Sequence, residues 1–147
     1  MSDLELDREL ADLELADLEL DDRELVAAFE ACTLPNSAFH HREHVRVAWA
    51  YLREMPPAQA LLRFTASLKR FAAAKGVPGL YHETLTWAYL LLIHERMARG
   101  PEGATFEDFA AVHPDLLASR PSLLARYYNE ETLRSELARR VFVFPDR

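Results

Sequence analysis

From residue 21 onward, apolar side chains recur every third or fourth position between short polar or proline-containing breaks, a rhythm that predicts helices along the chain. The stretch "DDRELVAAFEAC" opens with an aspartate cap and places Leu25, Phe29 and Cys32 on one face before "TLPN" ends it. A second helix starts after Asn36 and runs to about Arg53, with Val45, Ala48 and Leu52 on its core side. "MPP" stops it, because a residue that precedes proline is pushed out of the helical region. Pro57 then opens a third helix, in which Ala60, Leu61, Phe64, Leu68 and Phe71 keep helical spacing as far as "KG".

The fourth helix, from about Leu80 to Arg99, is apolar nearly all round and is closed by Gly100, which places it in the middle of a bundle. Thr105 caps a short helix carrying Phe106 and Phe109, with Glu107 and Asp108 in its first turn, where the helix dipole favours acids. Pro114 and Pro121 divide the next residues into short pieces, and a last helix starts near Asn129. The closing "VFVFPDR" alternates as an extended tail would. No segment reads as a βαβ unit, so the expected fold is all-α: a compact bundle of about six or seven helices with an extended C-terminal tail.

The first twenty residues obey a different rule. "DLEL" at 3 to 6 returns within "ADLEL" at 11 to 15 and 16 to 20. A period of five turns a helix by about 140° per repeat, so the leucines spiral around the axis instead of forming one stripe. Residues 1–20 therefore read as an acidic extension, partly disordered or loosely helical, or as an arm for a partner or a homodimer, and residues 21–147 as a single helical domain. Residues 1–24 hold eleven acidic groups against Arg8 and Arg23, a net charge of -9, which leaves +2 for the rest of a chain whose total is -7. The nearly neutral body has no dense Lys/Arg stripe, so nucleic-acid binding is not expected.

At 147 residues, half of them apolar, the chain can bury a core without a metal or disulfide as a staple. A single cysteine, Cys32, cannot form an internal disulfide, and no N-terminal secretion signal is apparent, so a cytoplasmic location is expected. The longest apolar run, "WAYLLLI", is far short of the roughly 20 residues that span a bilayer, so no membrane partner is expected.

Candidate chemistry gathers at "FHHREHVRVAW", residues 39–49. Residues three or four apart share a helix face, so His44 pairs with either His41 or His40. The Val45 stripe selects His41 and His44 for the rim of the core and leaves His40 to solvent. His40, Glu43 and His44 also spell H-x-x-E-H, an inverted zinc-peptidase signature, but the match covers those residues alone. A third imidazole, His82, opens the fourth helix in "GLYHETLTWAY". His41, His44 and His82 together would give three nitrogen ligands with open positions, suited to zinc, iron or copper. Glu83 would be a fourth ligand or general base, and Tyr127 and Tyr128 further catalytic candidates. Arg46, Tyr81 and Thr84 are the candidates for contacting a small-molecule substrate.

With its "FHHREHVRVAWAYL", "GLYHETLTWAYLLLI", "RYYNEETLRSELAR" and "FVFPD", the chain resembles a family of small bacterial all-helical proteins without an assigned activity. Their pattern is F-x-H-x-x-H-x-R-x-A-W, Y-H-E-T, Y-Y and a closing F-V-x-P-D. The likeness spans about residues 24–146 and selects Phe39, His41, His44, Arg46, Trp49, Tyr81, His82, Glu83, Thr84, Tyr127 and Tyr128. It implies no reaction and no cofactor. The residues themselves support two expectations: a small metal-dependent enzyme acting on a small molecule through metal-activated water or oxygen, or a non-catalytic module whose histidines form a buried polar network or a small-anion pocket.

Overall fold

The computed structural model describes residues 20–147, so all but the last residue of the acidic repeat lies outside the described part. Eight α-helices are formed among the described residues, and no strand. They are α1 (Asp22–Glu30), α2 (His41–Glu54), α3 (Pro57–Ala74), α4 (Glu83–Arg99), α5 (Phe106–Val112), α6 (Pro114–Leu117), α7 (Glu130–Arg134) and α8 (Glu136–Arg140). The all-α expectation holds, with the last expected helix divided in two at Ser135, whose hydroxyl caps α8 by accepting from the Ala138 N–H.

Most helix starts are where local chemistry puts them. Asp21 accepts from the Glu24 N–H at 2.8 Å, and the Glu24 carboxylate lies 3.4 Å from the Asp21 N–H, a reciprocal cap. Thr105 and Asp108 do the same for α5, and Pro57 occupies the first position of α3. Three boundaries differ from the sequence reading, one being the start of α4 at Glu83 and not near Leu80, since Pro78–Leu80 forms a 3-10 turn. The first helix stops at Glu30, and Cys32 adopts a left-handed backbone (φ 59°), so it sits in the turn beyond the helix and not on its face. The second starts at His41 because Asn36–Ala38 forms a separate 3-10 turn.

Phe29 of α1 is fully buried, with its ring centroid 4.8 Å from Phe39, 6.1 Å from Phe64 and 5.4 Å from Phe71. Burying a side chain of that size contributes about 2–3 kcal/mol, and here it joins α1, the 36–40 connection and α3 in one step. Helix α4 runs through the centre, packed by α2, α3 and α8, as its all-round apolar character predicts. On the far side α5 closes the core, where Phe106 meets the Trp49 ring edge-on at 5.5 Å.

The C-terminal residues lie extended along α4. Buried Thr84 donates to the Val141 carbonyl (2.9 Å) and accepts from the Val143 N–H (3.1 Å), Tyr128 donates to the Val143 carbonyl (2.7 Å), and Phe142 stacks on Trp87 at 5.2 Å. No helix among the described residues is long and apolar enough to cross a membrane.

Candidate functional site

Three helices turn one stripe each toward a common cleft of about 650 Å3. From α2 come His41, His44, Val45 and Ala48; from α3 come Phe64, Leu68, Phe71, Ala72 and Lys75; from α4 come Leu85, Thr86, Tyr89, Leu90 and Ile93. Each set keeps the three-or-four spacing of a helix face. The connections complete the rim with Asn36, Phe39, Val77, Leu80, Tyr81 and His82. The volume falls within the range of small-molecule sites, and the wall is mostly aliphatic and aromatic with a few polar groups, the usual character of such sites.

The three candidate histidines reach this cleft in different chemical states. His82, the N-cap of α4, accepts at Nδ1 from the Leu85 N–H (3.1 Å) and donates from Nε2 to the Leu133 carbonyl (2.8 Å). That pair of bonds sets the neutral tautomer with the proton on Nε2. Burial lowers its pKa, the Leu133 carbonyl works against that shift, and the nearby Arg139 charge adds to it. His41 donates from Nε2 to the Leu116 carbonyl at 2.8 Å, which leaves Nδ1, and its ring meets Tyr89 edge-on at 4.9 Å.

His44 differs from both. Its ring lies 4.0 Å from that of Phe39, and no side-chain hydrogen bond holds it among the described residues. Part of it faces the cleft, whose apolar walls surround it closely. Burial therefore lowers its pKa to about 4, and the neighbouring His41 and His40 push the same way. At neutral pH His44 presents an uncharged imidazole, one donor and one acceptor, with no protein group to satisfy it.

The expected His41–His44–His82 metal centre does not fit this donor set. His82 has no lone pair left to offer, since both ring nitrogens are committed to the backbone. No group of three or more His, Cys, Asp or Glu is arranged to hold a metal among the described residues. The H-x-x-E-H string is a helix start, in which the Glu43 carboxylate accepts from the His40 N–H at 3.1 Å while exposed His40 faces solvent as expected.

Of the other candidates, Tyr81 alone lines the cleft. Glu83 accepts from the Tyr81 hydroxyl (2.6 Å) and the Trp87 indole (2.8 Å), and Lys69 stands 3.9 Å away, so its carboxylate is occupied and does not line the cleft. Burial, helped by Glu83, pushes the Tyr81 phenol upward, so Tyr81 lines the cleft as a neutral group. Thr84 and Tyr128 hold the C-terminal tail, and Tyr127 is partly exposed; none of the three lines the cleft. Arg46 donates to Asp22 (2.9 Å) and to the Leu20 carbonyl (2.8 Å), anchoring α1 instead of meeting an anion. Sequence reasoning missed Tyr89 and Lys75 as lining residues. Their signal was periodicity: Tyr89 continues the 82, 85, 86 stripe and Lys75 the 68, 71, 72 stripe.

Two further depressions, of about 610 and 780 Å3, lie on the surface. Every arginine lining them is paired: Arg23 with Glu54, Arg53 with Asp22, Arg63 with Glu30, Arg96 with Asp115 and Arg99 with Glu95. They read as ordinary ion-paired surface.

Comparison with protein-family models, with curated proteins and with solved structures gives no match. The resemblance in the sequence stands on its motifs alone. In this fold those motifs separate into cleft residues (Phe39, His41, His44, Tyr81, His82), tail anchors (Thr84, Tyr128), a core ring (Trp49) and an anchor for α1 (Arg46).

Proposed function

We propose that the protein is a small-molecule binding module that takes a mostly apolar ligand between α2, α3 and α4 and meets its polar end with His44. The observation that carries this reading is the state of His44: a neutral imidazole, free of protein hydrogen bonds among the described residues, in the lining of a mostly apolar cleft. His44 is half-buried, so its free ring nitrogens meet solvent in the cleft, and a ligand that bonds to one of them replaces that solvent while burying its apolar body against the wall. His41 and His82 support the arrangement from behind, since backbone carbonyls hold both rings in place.

Binding is favoured over catalysis for the same reason. A base with a pKa near 4 is weak at neutral pH, and among the described residues no carboxylate orients the His44 ring as general-base catalysis usually requires. The donor chemistry of His82 likewise tells against a three-histidine metal enzyme, the reading that the histidine spacing alone suggests.

Isothermal titration of the full chain with 1-octanol tests the reading. A Kd on the order of 100 μM is expected, about 0.6 kcal/mol per heavy atom, within the range for small ligands. Ala72→Trp, which fills the cleft from α3, should abolish binding while the helical circular dichroism persists. A wild-type chain that shows no heat with octanol, or a filled variant that binds equally well, would overturn the proposal. Titration with zinc gives the competing readout: stoichiometric uptake lost in a His41→Ala, His82→Ala double variant would restore the metal reading.

A further inference from the structure

Among the described residues lining the cleft there is no Asp or Glu, and one side chain carries a fixed charge: Lys75, near the C-terminus of α3. Its ammonium stands 5.3 Å from the Phe71 ring centroid. Phe71 meets Phe39 at 4.8 Å, and Phe39 meets His44 at 4.0 Å. An ammonium and an uncharged imidazole thus flank one pair of aromatic rings at the cleft wall.

We propose that the ligand is an apolar monocarboxylate, with its hydrocarbon body among Phe64, Phe71 and Ile93 and its carboxylate at the wall along which Lys75, Phe71, Phe39 and His44 follow one another. This deepens the binding reading above and rests on it.

Charge selects the class. The other described lysine, Lys69, has a carboxylate within 3.9 Å, whereas Lys75 has none within ion-pairing distance among the described residues. Lys75 is therefore the cation left over in a cleft without acids, and an anionic head group complements it. A single cation suits a single negative charge; a phosphate dianion would bring a second charge for which the lining has no partner. A cationic amphiphile would face Lys75 with like charge. His44 contributes its one N–H to a carboxylate oxygen, a charge-assisted bond that a neutral alcohol cannot match.

The charges that act on His44 are those of His41 and His40 on its own helix, and the cleft lining also holds Lys75 from α3 and His82, Tyr81 and Tyr89 from α4 and the turn before it. None is an acid that would compete with the ligand for the imidazole N–H or for the ammonium.

Isothermal titration with three isosteric probes at pH 7 and low salt tests the assignment: octanoate, 1-octanol and octylamine, against wild type, Lys75→Gln and Lys75→Arg. Octanoate should bind about tenfold tighter than octanol, and octylamine most weakly. In Lys75→Gln the preference of octanoate over octanol should fall to about twofold, and Lys75→Arg should retain it. Raising the salt to about 0.3 M should narrow the wild-type preference, because a partly exposed pair is screened. Equal affinity for octanoate and octanol in wild type, or a preference that survives Lys75→Gln, would overturn the carboxylate assignment and leave the binding reading standing. Failure of all three probes on a folded wild type would remove the binding reading itself.

Discussion

Because the His44 imidazole is held near pKa 4, it protonates in the unfolded chain well before it does in the folded one. Between pH 6.5 and about 4 the unfolded state binds more protons, so this residue makes the protein progressively less stable as pH falls through that window. The full effect is at most about 3–4 kcal/mol, since the drop from 6.5 to about 4 is worth about 1.36 kcal/mol per pH unit. Urea unfolding at pH 7, 6 and 5 should show the loss, and His44→Gln should flatten the slope; an unchanged slope would mean that His44 does not titrate as its surroundings require. His82 behaves as a structural cap that also lines the cleft. Replacing it by Ala removes the cap of α4 and the bond to the Leu133 carbonyl, with an expected cost of about 2–3 kcal/mol. His82→Asn, which keeps a capping acceptor, should recover roughly half of that loss in the same denaturation experiment.

Among the elements, the C-terminal tail is tied to α4 by one buried hydroxyl, that of Thr84, beside the stack of Phe142 on Trp87. Thr84→Val keeps the shape but leaves the Val143 N–H and the Val141 carbonyl unsatisfied, a cost of about 1–3 kcal/mol. Hydrogen exchange at the Val143 amide should accelerate, while amides in the middle of α2 keep their protection. Helix starts were legible because a cap is a local event: Asp21, Pro57 and Thr105 act on residues within one turn. The role of Thr84 was not legible, since its partners lie 57 and 59 residues away and no period links them. The same holds for Arg46, an apparent anion ligand in the sequence that reaches back to α1. His41 and His44 were found by their spacing, but whether His82 joined them as a ligand depended on the Leu133 carbonyl, 51 residues further on.

Across the whole molecule, the cleft exists because three helices of unequal polarity converge, with α4 apolar enough to serve both the core and the cavity wall. That convergence is written in the apolar pattern; the volume left between the helices is not, because it depends on how bulky side chains such as Phe39 and Phe71 pack against each other. The acidic repeat, except Leu20, lies outside the described residues. Deleting residues 1–19 should shift the melting temperature by less than about 2 °C, since the first described anchor of the body is the Leu20 carbonyl under Arg46. A drop of several degrees would move the domain boundary into the repeat. Whether the α2–α3–α4 cleft is a ligand site can be read out by methyl NMR of the full chain during titration with octanol. Saturable shifts concentrated at Val45, Leu68, Leu85, Leu90 and Ile93 are expected, with Leu25 and Leu124 unmoved. Shifts spread evenly over the surface, or none at the cleft methyls up to saturation with octanol, would contradict a ligand site there.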